Sequence, residues 1–365
     1  MDRGKKNIAV CLAFAFVLGG GFFASLWMPK AGYSYSERRK LAEKPQLTVR
    51  TLWEGRFMEG FEEYLQDTFP FREGFRRAKA LAAKNVFFRQ DNHGLYTVDG
   101  WIAAVEYPMH EEALAYAASR FHYIFEEYLD EDNQVFLSVI PDKNCFLAEG
   151  SGHLSMDYAA FEKSMAEKVS FASYIPISDL LEREDYYKTD THWRQERITD
   201  VAERLAQAMG AELSGKYQAH TLAQDFYGVY YGQAALPLAP DRLQYLTGAS
   251  MEGCRVYDWQ NGRGIGVYDM EKAAGADPYE IFLSGPLSYV SIENPKAPKD
   301  KKLVVFRDSF GSSLAPLLIS GYSEIALVDI RYLHPAHLGR FLDFEGRDVL
   351  FLYSTSVLNN SNTMK

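Results

Sequence analysis

Between residues 111 and 353 the chain alternates between runs that suit a strand and runs that suit a helix, and this pattern constrains the fold more than any other feature. Glu111–Leu129 reads as a helix, Gln134–Ile140 as a short apolar strand stopped by Pro141, and Met156–Ser170 as a helix. Tyr174–Ile177 is a possible strand, and Glu196–Met209 a helix ended at Gly210, a C-cap position. Lys302–Phe306, Glu324–Ile330 and Asp348–Tyr353 are further strands, with helices over Ser312–Ser320 and Pro335–Phe344 between them. Strands separated by helices of that length predict an α/β fold, a parallel sheet with helices on both faces. Ahead of it, Gly94–Val105 predicts a hairpin turned at Asp99-Gly100, because Asp-Gly tolerates the positive φ of a tight turn. Residues 211–280, rich in Gly, Tyr and Pro, break the alternation and read as an irregular insertion within a catalytic domain spanning 91–365.

The N-terminus reads differently. Arg3, Lys5 and Lys6 precede an uncharged run from Ile8 to Met28, and 21 residues of helix span about 30 Å, the thickness of a bilayer's hydrocarbon layer. Residues 1–29 are therefore expected as an uncleaved transmembrane signal-anchor, with a cleaved signal peptide as the alternative; either way the rest of the chain lies outside the cytoplasm, at the cell membrane. Residues 30–50 read as a stalk. Residues 51–90 read as a helical extension, with Phe57, Phe61, Tyr64 and Leu65 on one stripe and a break at Pro70. A net charge of -10 over 365 residues argues against a nucleic-acid partner, which needs clustered Lys and Arg. The three cysteines (Cys11, Cys145, Cys254) make no disulfide framework and no zinc spacing.

Two segments carry chemistry. In KKLVVFRDSFGSSLAPLL an apolar strand runs through Arg307, Asp308 and Ser309 into a helix opening at Gly311. At the carboxyl edge of an open α/β sheet a serine there is exposed, near backbone N–H groups able to hold an oxyanion. A serine at this position also caps helices, so the segment alone leaves nucleophile and cap both open. In DYYKTDTHWRQE, Asp190 and His192 stand two apart, so in extended backbone both side chains point the same way. A carboxylate beside an imidazole can accept its Nδ1–H and leave Nε2 as a general base; an ordinary loop histidine or half a metal site are the bland alternatives. Tyr186, Tyr187 and Trp193 nearby suit either stacking on sugar rings or simple packing. Lys143 and Arg331 are polar ends of apolar runs, each either a contact for an anionic or sugar ligand or an ordinary structural charge.

DTHW at 190–193 followed by RDSFG at 307–311 resembles the DHHW-type proteins, exported SGNH-like enzymes related to the alginate O-acetyltransferase periplasmic proteins. Softer elements fall in the same order over nearly the whole chain: GRFMEGFEEYLQDTFPFRE, VIPDK, DFYGVYYGQ, and SGPLSYVSIENP through VDIRYL. The resemblance implies Ser309 as nucleophile, His192 as base and Asp190 as the acid that orients it. It also implies the Ser309 N–H as one oxyanion donor, with Gly285 and the Tyr353–Ser354 region as candidates for the others. Arg307 stands where the generic motif has glycine, and neither Asn294 nor Asn359 matches the family's third-block asparagine. The implied function is O-acetylation of an extracytoplasmic polysaccharide, without cofactor, using acetyl groups from a membrane-bound O-acyltransferase partner. An acetyl-ester esterase with the same triad and a non-catalytic glycan-binding module are the alternatives.

Overall fold

The computed structural model describes residues 3–27, 30–34 and 36–365. Met28 and Pro29, the end of the expected anchor run, lie outside the described residues. The chain divides into two compact units, Met1–His93 with Tyr231–Pro237, and Gly94–Tyr230 with Leu238–Lys365.

In the first unit, helix α1 (Arg3–Trp27) runs unbroken through Gly19–Gly21, and its stretch Gly4–Ser25 is long and apolar enough to cross a membrane. The two-residue strands β1 (Tyr33–Ser34) and β2 (Arg39–Lys40) pair antiparallel. Helices α2 (Val49–Trp53), α3 (Arg56–Asp67) and α4 (Arg72–Asn85) follow, and Pro70 lies between the last two as its missing N–H requires. Asp67 ties the pieces together: its carboxylate accepts from Arg39 at 2.5 and 2.7 Å and from the Ala42 N–H at 2.9 Å. The Arg39 hydrogen bond holds that carboxyl down at about 2, against the effect of burial.

The second unit opens on the expected hairpin, β3 (Leu95–Val98) and β4 (Trp101–Ala104), with Asp99 and Gly100 at φ 49° and 83°. Then come α5 (Glu111–Tyr128), β5 (Val135–Ile140), the short α6 (Asn144–Leu147), α7 (Tyr158–Lys168), β6 (Ser173–Tyr174) and α8 (Thr199–Ala208). Strands β7 (Gln218–Thr221) and β8 (Gln244–Thr247) pair antiparallel, and α9 (Val229–Ala234), which lies between them in sequence, straddles the boundary of the two units. Strands β9 (Arg255–Asp258), β10 (Arg263–Ile265) and β11 (Tyr289–Glu293) follow, with α10 (Met270–Ala273) between the last two. The chain closes with β12 (Lys302–Arg307), α11 (Phe310–Leu318), β13 (Glu324–Val328), β14 (Asp348–Ser354) and α12 (Thr355–Asn359).

Eight strands form one sheet in the order β10-β9-β11-β13-β12-β14-β5-β6. From β13 to β6 every pairing is parallel, which is the expected SGNH-like architecture. The other edge departs from expectation: β11, β9 and β10 join antiparallel, so the stretch read as irregular supplies two strands of the main sheet. Its signal was weak because Arg255–Asp258 alternates exposed and buried on a partly solvated edge and carries few aliphatic residues. Tyr174–Ile177 shrinks to β6, since Pro176 has no N–H for a longer ladder. The expected helix over Pro335–Phe344 is a 3-10 turn at Pro335–Arg340.

The central strands bury both faces, so alternate residues feed two cores. Leu303 and Val305 pack on one side with α8 and α11; Val304 and Phe306 pack on the other with α5 and α7. Helix α5 buries Leu114, Ala117, Phe121 and Ile124, spaced three and four apart, and carries Glu111 and Glu112 in its first turn, where the helix dipole favours them. The Phe121 ring stacks on Phe351 and Tyr353 of β14, with centroids at 4.5 and 5.3 Å. We predict that Phe121→Ala costs about 3–5 kcal/mol, read as a lowered urea midpoint with unchanged slope.

Candidate active site

At the carboxyl end of β12 the chain turns through Asp308 and Ser309 into α11. Asp308 is fully buried; its Oδ1 accepts the Phe310 N–H at 3.0 Å and its Oδ2 the Ser354 N–H at 2.8 Å, which fastens the turn to the end of β14. Gly311 lets the helix approach the strand, since a β-carbon there would come within 2.7 Å of the Arg307 stem. Arg307, the departure from the generic motif, is wholly buried and reaches the Asp308 and Leu287 carbonyls, each at 3.4 Å. Burial pulls its guanidinium below the ordinary arginine value, against the opposing pull of Asp329 and Asp308. With Asp308 engaging the first N–H of the helix, the Ser309 side chain makes no cap hydrogen bond. Its Oγ lies 2.7 Å from His192 Nε2 instead. The cap alternative is thereby excluded.

His192 and Asp190 sit on a tight loop closed by the Tyr187 N–H to the His192 carbonyl and the Arg194 N–H to the Asp185 carbonyl. Asp190 Oδ1 accepts the His192 backbone N–H at 3.1 Å and meets Nδ1 at 2.6 Å, while Oδ2 accepts the Val229 N–H at 2.8 Å. A carboxylate oxygen accepts, so Nδ1 carries the proton and Nε2 is left to accept from Ser309. The Tyr279 ring stacks on the imidazole at 3.9 Å and 9°, and its hydroxyl is anchored on Ser313 Oγ at 2.8 Å. Trp193 Nε1 donates to the same Ser313 Oγ, at 2.9 Å. Thr189 beside the loop is gripped by Asp241, whose carboxylate takes the Thr189 hydroxyl and N–H and the Lys188 N–H at 2.6–2.9 Å. Of these supports, Val229 falls within a family-like segment, DFYGVYYGQ, and nothing in that segment marks its role. Asp241, Tyr279 and Ser313 had no local signal.

The remaining expected residues are placed as follows. Lys143 is buried, and its Nζ donates to the Tyr187 and Lys188 carbonyls at 2.8 and 3.3 Å, beside the Tyr230 ring. Burial lowers its ammonium to about 7, against the opposing pull of Asp190, Asp241 and Asp142. Gly285 is no free oxyanion donor, because its N–H is spent on the Phe282 carbonyl within a turn where residues 283–285 all have positive φ. Tyr353 is buried in the sheet core, and the neighbouring Ser354 N–H is spent on Asp308. Tyr186, Tyr187 and Trp193 are wholly buried, so packing and not sugar stacking is their role. Arg331 follows β13, the strand beside β12, and is clamped to Asp329 by bonds of 2.9 and 2.7 Å. Burial would lower its guanidinium, but Asp329 holds it above the ordinary arginine value. One-fifth of its side chain meets solvent, which leaves it able to touch a ligand.

Solved structures share this fold. A DHHW family protein from Eubacterium siraeum is similar at 22% identity and a TM-score of 0.62, over 75% of this chain and 94% of that one. Two structures of Bacillus cereus PatB1, one with a sulfonyl adduct, are similar at 17% and 15% identity, with TM-scores of 0.55 and 0.54, over 72% of this chain and 97% and 96% of theirs. No family model and no curated protein matches the chain. At these identities the likeness is one of fold.

Two predictions come from this geometry. A β-carbon on Gly228 would sit 2.3 Å from Asp190 Cα and Cβ, so Gly228→Ala should displace Asp190. Loss of the low-field His192 Nδ1–H proton resonance in a chain that still unfolds cooperatively is the expected readout. Lys143 titrates near 7 in the folded chain and near 10.5 when exposed. Between those values the unfolded state binds the extra proton, so this residue makes stability rise with pH across that window. Urea unfolding at several pH values should show that rise reduced in Lys143→Met.

Proposed function

We propose that the chain is an extracytoplasmic O-acetyltransferase acting on a cell-surface or exported polysaccharide, held at the membrane by α1. Ser309 is the nucleophile, His192 the general base and Asp190 the group that fixes the base's tautomer. The observation that carries this reading is the continuous line from Asp190 Oδ1 through the imidazole to Ser309 Oγ, with steps of 2.6 and 2.7 Å. Nothing in it depends on a metal or an organic cofactor.

In the first half-reaction His192 Nε2 takes the Ser309 proton as Oγ attacks the carbonyl carbon of an acetyl donor. The carbonyl oxygen becomes an oxyanion, which the Ser309 N–H at the start of α11 is positioned to meet. Collapse breaks the bond to the leaving group, which takes the proton back from His192, and acetyl-Ser309 remains. In the second half-reaction His192 removes a proton from a sugar hydroxyl. That oxygen attacks the acetyl carbon, and Ser309 departs with the proton. Arg331 at the neighbouring strand end is the residue we assign to contact the substrate.

Transfer is preferred to hydrolysis because of the resemblance in DTHW and RDSFG together with the apolar helix α1. A tethered enzyme beside a membrane-bound O-acyltransferase that delivers acetyl groups gains effective concentration over a free hydrolase. Ser309→Ala in the full chain in detergent should lower turnover of p-nitrophenyl acetate by at least about a thousandfold. With oligosaccharide acceptors present, products one acetyl group heavier should appear only with Ser309 intact. If acetate accumulates at an unchanged rate and every acceptor stays unmodified, the esterase reading replaces this one.

A further inference from the structure

The first unit carries a surface that catalysis does not use. On α4, Phe75, Ala78 and Ala82 follow one another at helical spacing along a single line. Ala80 and Ala83, on another side of the same helix, are buried, while Phe75 and Ala78 are exposed and Ala82 is half-buried. Lys79, whose Nζ meets His93 Nε2 at 3.0 Å, borders the line on one side, while Arg77 and Lys84 lie on the far side of the helix; all three are exposed. Phe71 before the helix and Phe87 and Phe88 after it extend the strip, and with Phe75 these rings are 51% to 81% exposed. Four exposed phenylalanines on and beside a helix of about 21 Å, with Lys79 next to them and Arg77 and Lys84 on the other side, make an amphipathic surface left uncovered among the described residues.

A second observation places this surface relative to α1. Phe69, in the turn between α3 and α4, lies against the bare backbone of Gly21; a β-carbon there would meet the ring at 2.6 Å. Phe69 also packs edge-on against Phe75, with centroids 5.6 Å apart. Gly21 is four residues inside the end of the apolar stretch Gly4–Ser25, about 6 Å below it at helical rise. The α3–α4 turn therefore meets α1 at the depth where hydrocarbon gives way to headgroups. Aromatic rings favour that layer, and lysine and arginine stems reach from it to lipid phosphates.

We infer that α4 lies in the interface of the same bilayer that α1 crosses, with Phe71, Phe75, Phe87 and Phe88 among the acyl chains and Arg77, Lys79 and Lys84 on anionic phospholipid headgroups. The inference rests on α1 being a membrane span and is independent of the proposed chemistry. Its consequence is that the extension is a second, electrostatic membrane contact and not a water-filled spacer.

Nitroxide labels test it in the full chain, in nanodiscs of phosphatidylcholine with phosphatidylglycerol. Each label is carried by Ala13→Cys, Phe75→Cys or Phe88→Cys in a chain with Cys11, Cys145 and Cys254 replaced by alanine. The expected result is an Ala13→Cys label accessible to oxygen and closed to a water-soluble nickel relaxant, with the Phe75→Cys and Phe88→Cys labels also favouring oxygen, at shallower depth. Combining Arg77→Glu, Lys79→Glu and Lys84→Glu should return the two hairpin labels to nickel while leaving the Ala13→Cys label buried. Hairpin labels open to nickel in the unreversed chain, with the Ala13→Cys label buried, would overturn the inference and spare the anchor. Hairpin labels closed to both relaxants would overturn it in favour of a protein covering. An Ala13→Cys label open to nickel would overturn the anchor and the inference together.

Discussion

Asp190 is buried without contact to water, and a carboxylate in that position is tolerable only where donors surround it. The donors include the backbone N–H groups of His192 and Val229 and the imidazole Nδ1–H. Two of these belong to His192 itself. The desolvation that makes the carboxylate costly thus also makes the imidazole's direction well defined, because rotating the ring would strand a buried acceptor. The rest of the site follows from keeping this loop in place. Asp241 grips it at Thr189, Lys143 holds its carbonyls, and Tyr279 lies flat on the ring.

The serine is held by a matching arrangement on the other side. A second buried carboxylate, Asp308, spans the first turn of α11 and the end of β14, so the elbow is tied to two parallel strands at once. Because β12 is central and both its faces are packed, displacing Ser309 would disturb two cores. Ser309 and His192 therefore come from separate, independently braced elements that meet at the carboxyl edge of the sheet, where an α/β fold leaves room for a ligand.

Much of this was legible in the residues. The strand–turn–helix at 302–318 and the two-residue spacing of Asp190 and His192 are local patterns, and local patterns survive in sequence. The elements that escaped depend on distant partners. Asp241 lies 52 residues from the threonine it holds, and Tyr279 stacks on a histidine far upstream. Gly285 and the Tyr353–Ser354 region were donor candidates through the family resemblance alone, with no local pattern behind them, and the N–H groups of Gly285 and Ser354 go to the Phe282 carbonyl and to Asp308. For Lys143 the residues left a ligand contact and a structural charge both open, because a charge ending an apolar run usually faces water. Here the run ends beneath a loop whose carbonyls need a donor. The antiparallel edge strands were missed because a half-solvated strand with few aliphatic residues resembles a loop.

The proposed chemistry requires Ser309 to be activated by His192. Phenylmethylsulfonyl fluoride, which reacts with activated serines, followed by intact-mass measurement and peptide mapping of the full chain, addresses that claim without knowledge of the natural substrate. A single sulfonyl group on Ser309, formed in the native chain and nearly absent from His192→Ala, is the predicted result. An unmodified Ser309, or one modified at the same rate without His192, would contradict it.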